Sequence, residues 1–400
     1  MAFWEYCFSA CPFERRKLEN NIKLNGDGIH DDTAAIQAML DKCGLVEIPD
    51  GRYLIKKPLI LHSNTHLKLS AYATLRLADG ANCSLLDNDG LYSDETNVNI
   101  IIEGGIWDGN HMAQQRKKIP NECRPGDENE DKICDKQTYI SNVYVVFMVR
   151  LVHTERLQVK NLTFKNPTSY AIHIADSRYF NVENVTLDYD LLKPNMDGIH
   201  IQGPARFGRI RNIIGNANDD HVALCANGTI RSEITRGDIE DVDIDGIYCD
   251  NGYTGVRLLS RGDAIRNIHI SNIHGEFRFY AVSLTHHYPL REDKPILLEN
   301  IHISDIYASK SRADCEEGHR DAVEKCALIW FESGIVCQNV MVENVYREER
   351  NVYTEAPTVR ISENVIARNL QIKNVKNTFV GTPCESIENN SEDVELSFDL

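Results

Sequence analysis

Leu157-Gln158-Val159-Lys160-Asn161-Leu162 is the stretch whose reading decides the fold. Its apolar residues alternate with polar ones up to Asn161, and a period of two marks a strand with one buried face. The asparagine marks a bend, because its side chain tolerates left-handed backbone and can bond neighbouring peptide groups. The phrase returns as Phe180-x-Val182-x-Asn184-Val185, Ile268-x-Ile270-x-Asn272-Ile273 and Ile301-x-Ile303-x-Asp305-Ile306. It returns again as Val340-x-Val342-x-Asn344-Val345 and Leu370-x-Ile372-x-Asn374-Val375. Apart from the long interval between Phe180 and Ile268, neighbouring copies lie roughly 23–39 residues apart, the spacing of solenoid coils. No copy carries a second core of its own, so these strands bury themselves only by stacking. Once stacked, the asparagines can bond one another from coil to coil.

A second set of strands lies between these copies, with aliphatic residues inward. Its outward column reads His173, His200, Ala223, Arg257, Ser283, Trp330, Arg360, a polar and potentially functional face. The expected fold is therefore all-β: a single-stranded right-handed parallel β-helix, a solenoid, over residues 22–376. Residues 1–21 read as an N-terminal extension and 377–400 as a C-terminal tail. Asp31-Asp32-Thr33 before Ala34–Leu40 predicts a capped helix at about 33–43 that closes the open end of the first coil. A charged insert at about 111–141 interrupts the pattern, as a loop or as one wall of a cleft.

Composition narrows the function. The chain has 400 residues and a net charge of −17, which repels phosphate backbones and argues against nucleic acid as a partner. No stretch approaches the roughly 20 apolar residues of a membrane span. Met1–Cys7 lacks the basic and apolar regions of a signal peptide, so a cytoplasmic location is expected. The 12 cysteines read mainly as buried thiols, with Cys123 and Cys134 the best placed for a bridge. No CxxC pair supports zinc, and neither a metal nor another cofactor is expected.

Further segments carry a resemblance. Gly26-Asp27-Gly28-Ile29-His30-Asp31-Asp32-Thr33-Ala34-Ala35-Ile36, Ile48-Pro49-Asp50-Gly51-Arg52-Tyr53 and Ile102–Gly109 resemble the N-terminal signature of pectin-degrading β-helix enzymes. Pro194-Asn195-Met196-Asp197-Gly198-Ile199 and Asn218-Asp219-Asp220-His221-Val222-Ala223-Leu224 resemble the two catalytic motifs of family 28 glycoside hydrolases, the polygalacturonases. The resemblance implies an inverting hydrolase in which Asp219 is the acid while Asp197 and Asp220 hold the water. Two pieces depart from the family. No Gly-His-Gly triplet follows the aspartates, and the family's Arg-x-Lys strand reads Arg257-Leu258-Leu259.

The residues support the same chemistry on their own terms. Asp197 and Asp220 fall in one column of adjacent strands about 4.8 Å apart, so their repulsion should raise the proton affinity of one. Glycoside hydrolysis needs a proton donor and a second carboxylate, and three clustered acids supply both. Spacing alone leaves open which is donor and which is base. Asn195, Asn218, His173, His200, His221, Arg257, Tyr253 and His286 are candidate substrate contacts. The partner expected is a carbohydrate, and the lost lysine predicts a neutral or mixed glycan over polygalacturonate. A lyase or uronate epimerase of the same fold, or a non-catalytic glycan-binding solenoid, remain the alternatives.

Overall fold

The computed structural model describes residues 22–115, 136–140, 147–228, 233–287, 296–311, 320–381, 383–392 and 394. The expected extension 1–21, most of the charged insert and the Cys123–Cys134 pair lie outside the described residues. Strands pair in parallel from coil to coil along one solenoid. Parallel strands joined by crossovers wind right-handed. The long strands bend at left-handed residues: Ile199–Gly215 turns at Phe207 (φ 61°) and Asn212 (φ 56°), so one run of chain serves three strands. A single apolar core extends from Ile36 to Val394 through the stack.

The outward column follows the expected register. His173 pairs with His200, His200 with Ala223, Ala223 with Arg257, Arg257 with Ser283, Ser283 with Trp330 and Trp330 with Arg360. The asparagines form a ladder. Asn184 donates to Asn161 at 2.9 Å, Asn212 to Asn184 at 2.8 Å and Asn374 to Asn344 at 2.8 Å. A second ladder on the other bend links Asn64, Asn99, Asp241, Asn267, Asn300, Asn339 and Asn369. Arg156, Tyr179 and Phe207 take that bend in the middle coils, and the Tyr179 and Phe207 rings stack at 5.0 Å in place of amide bonds.

Several expectations need correction. The long interval between Phe180 and Ile268 holds two further copies, Gly208–Ile213 and Val242–Ile247, masked in sequence because Gly208 and Gly246 replace the apolar residue and the asparagine. The solenoid passes residue 376: one strand runs to Phe379, and Ile387–Asn389 pairs with Val359–Ile361. The helix spans Thr33–Leu40 and buries Ile36 and Leu40 over the first coil, but Asp32 does not cap it. Asp31 accepts the Thr33 N–H instead, and the buried Asp32 carboxylate holds the Asn25 and Gly26 amides. Cys225 and Cys337 are buried thiols, as expected. Among the described residues no helix is long and apolar enough to cross a membrane.

Candidate active site

The strand starts carry the acids. Gly198 N donates to Asp220 O, which sets Asp197 beside Asp220 on consecutive coils. Gly198 is required there, since a Cβ would lie 2.6 Å from the His221 carbonyl oxygen. Within one column, strand starts place Tyr170, Asp197, Asp220, Thr254 and Tyr280. Asp219 precedes Asp220 and is the most accessible acid, with 18% of its side chain exposed against 3% for Asp197 and 5% for Asp220.

Arg257 ties two acids together. Its Nε donates to Asp220 at 2.9 Å and its Nη2 to Asp219 at 3.4 Å. The Arg257 charge is engaged inside the cluster, where it offsets repulsion between buried carboxylates. Burial and the charges of Asp219 and Asp220 push the Asp197 carboxyl well above the ordinary carboxylate range. Burial raises Asp220 to about 7, against the pull of Arg257.

His200 completes the arrangement. Its Nδ1 lies 3.0 Å from Asp197 Oδ2, and burial keeps the ring neutral, as do the nearby His173 and Arg257. A neutral imidazole beside a protonated carboxyl accepts the hydrogen bond from the Asp197 hydroxyl at Nδ1. The other Asp197 oxygen, Oδ1, is buried without a partner. Tyr170 stacks flat on the His200 ring at 4.3 Å and fixes its orientation.

The remaining candidates divide. Asn195 is exposed at the rim and donates to Asp219 Oδ2 at 3.3 Å. Tyr253 is half-buried, stacks on Phe279 at 4.1 Å and feels the Asp219 charge. Asn218 is not a substrate contact: its amide donates to the Leu191 and Lys193 carbonyls and its oxygen accepts from Arg278. His221 points into the coil, bonding the Thr254 and Gly215 carbonyls. His173 is fully buried, bonded to the Tyr139 hydroxyl at 2.6 Å, and its pKa is held down to about 3 by burial. His286 bonds the Ser333 carbonyl on the next coil.

Sequence reasoning missed several neighbours. Tyr170 and Tyr280 bracket the acids in their own column, a signal present in the alignment of strand starts. Tyr280 stacks on Trp330 at 4.9 Å and lies within reach of the Arg257 charge. His287, in left-handed backbone (φ 57°), feels Arg257 and Asp219 across space.

Comparison with known proteins places this geometry. The family described as rhamnogalacturonase A/epimerase, pectate lyase-like, matches residues 21–121, and the right-handed β-helix region family matches residues 148–276. The chain is a right-handed parallel β-helix. Within that class it resembles the family 28 glycoside hydrolases. Among solved structures, a hyperthermoactive exopolygalacturonase from Thermotoga maritima superposes with a TM-score of 0.58 at 13% identity, covering 92% of this chain and 90% of that one. Endo-xylogalacturonan hydrolase from Aspergillus tubingensis gives 0.56 at 14%, covering 94% of each. At these identities the likeness is one of fold. Plasmin and fibronectin-binding protein A of Streptococcus pneumoniae is 31% identical over 177 residues, 40% of this chain. The match spans about a fifth (22%) of that relative.

Proposed function

We propose that the chain is a glycoside hydrolase that cleaves a glycan at the Asp197–Asp219–Asp220 cluster. One observation carries this reading: two carboxyls that hold protons near neutrality adjoin a third, accessible one, all within reach of one guanidinium. The family resemblance assigns the donor to Asp219, the accessible acid, which passes a proton drawn from the neighbouring protonated Asp197 carboxyl to the glycosidic oxygen as the bond from the anomeric carbon breaks. Asp220, ionised above about pH 7, takes a proton from the water that attacks that carbon. Asp197 Oδ1 is an available acceptor for the same water. Attack from the face opposite the leaving oxygen inverts the anomeric centre.

Arg257 bears on the substrate. Because the acids engage its guanidinium, and Leu259 stands where the related enzymes have lysine, no second cation stands beside the acids among the described residues to receive a uronate. A neutral or mixed glycan is the favoured substrate. A lyase would need a cation against the uronate and a basic residue at the sugar; here the guanidinium fills the space between the acids. The match to a plasmin- and fibronectin-binding protein supports a second reading, a solenoid that binds a partner without cleaving it.

The test is incubation with a panel of neutral and acidic oligosaccharides, read by mass spectrometry. Addition of water to the products supports hydrolysis. An unsaturated end indicates elimination, and an unchanged panel that still binds indicates the second reading.

A further inference from the structure

Two of the directions leading away from the acids are blocked. Upstream, Tyr170 occupies the column position next to Asp197, and Phe147 stacks on Tyr170 at 4.5 Å. Phe147 also covers His173 at 4.6 Å, and Tyr139 closes the layer from above with 1% exposure. Tyr139 and Phe147 join Leu91, Val152 and Ala175 in an apolar cluster separate from the coil interior. This wall is fixed in place. Arg150, held by Asp87 at 2.8 and 2.7 Å, donates to the Tyr139 and Ile140 carbonyls at 2.9 and 3.3 Å.

The second blocked direction runs along the strands. Past His200, Ala223 and Arg257, the next outward side chains are Gln202, Cys225 and Leu259, all buried. Glu233 lies over them, accepting from Cys225 Sγ at 3.5 Å and from the Gly228 amide, and Ile234 packs against the upstream apolar cluster. Downstream the described surface is different in kind: half-buried Tyr253, then Tyr280 stacked on half-buried Trp330. Flat rings of this sort suit the apolar faces of sugars.

From this we infer that the acids stand at the closed end of the cleft, and that the site takes the terminus of a glycan chain, not its interior. The inference rests on the hydrolase reading and narrows its substrate. Coils are about 4.8 Å apart, close to the length of one sugar ring, and Tyr170 belongs to the coil next to Asp197. One sugar unit therefore fits between the scissile bond and the wall, while the rest of the chain lies over Tyr253, Tyr280 and Trp330. An internal segment would have to pass through Tyr170 and Phe147.

The test follows products over time, using oligosaccharides of three to six units labelled at one end, alongside their parent polymer. Monosaccharide should appear from the first turnover and exceed larger products by about tenfold, the ratio given by about 1.4 kcal/mol of discrimination. Polymer viscosity should fall slowly. In the Tyr139→Ala/Phe147→Ala double variant, which leaves the acids untouched, disaccharide and trisaccharide products should rise. Early mid-chain fragments with a rapid viscosity loss in the native protein would overturn this inference and leave the hydrolase reading standing. No hydrolysis of any glycan would overturn both. The native product profile decides even if the double variant does not fold.

Discussion

Replacing Asp220 with asparagine tests the electrostatics of the cluster through stability alone. In an unfolded chain this carboxyl releases its proton near 3.8, whereas in the fold it does so near 7. Between those values the folded protein keeps a proton that the unfolded chain has lost, so rising pH favours unfolding until the folded group ionises. At about 1.4 kcal/mol per pH unit, the destabilisation reaches about 4 kcal/mol above neutrality. Asparagine never ionises and avoids this loss. Below pH 4, where the acid is neutral in both states, native protein and Asp220→Asn should have similar stability. From there to pH 8 the variant should gain steadily, reaching an advantage of about 4 kcal/mol. Urea unfolding of both proteins at a series of pH values measures the gap. A gap that stays constant with pH, or widens in favour of the native protein as pH rises, would refute the claim that burial strains this carboxylate.

Asp219→Asn should reduce hydrolysis by at least about a hundredfold while leaving the circular dichroism unchanged; full activity would remove it as the donor. With Asp220 as base, kcat/KM should climb as pH rises through about 7, and a fall there would reverse its role. His200→Ala removes the acceptor of the Asp197 hydrogen bond and the ring under Tyr170, so kcat should drop with KM little changed, and a pure KM effect would count against a positioning role. Asn184→Ala loses one ladder bond to each neighbouring coil and strains a left-handed residue, which should lower stability by about 2–3 kcal/mol. Asn184→Gly should recover about 1 kcal/mol of that by relieving the backbone, and equal loss in both variants would deny the strain.

How far the sequence carries depends on where regularity stops. The outward column from His173 to Arg360 is readable because one-residue alternation survives through every coil. The acids are readable because they sit at equivalent strand starts. At those starts the alternation ends, however. Asp220 turns out toward Arg257 while His221 next to it turns in, and no count of residues predicts that bend. The burial of His173 was equally hidden, since the ring that covers it, Tyr139, comes from an irregular segment far from it in the chain. Arg257 was placed correctly in its column, but its engagement with both acids depends on side-chain reach that spacing does not encode.

The amide ladders have a consequence for how such a protein changes over time. The intervals between ladder partners run from 23 residues, Asn161 to Asn184, to 39 residues, Asp305 to Asn344, yet the bends stay in line. Every surplus residue is therefore taken up in the connections between strands, and one described connection, through Asn195, meets Asp219. Lengthening one of them alters what reaches Asp219 without disturbing the coils beneath. Recognition and scaffold are thus separately adjustable, and a lineage can exchange one glycan for another by editing loops while the stack continues to fold as before.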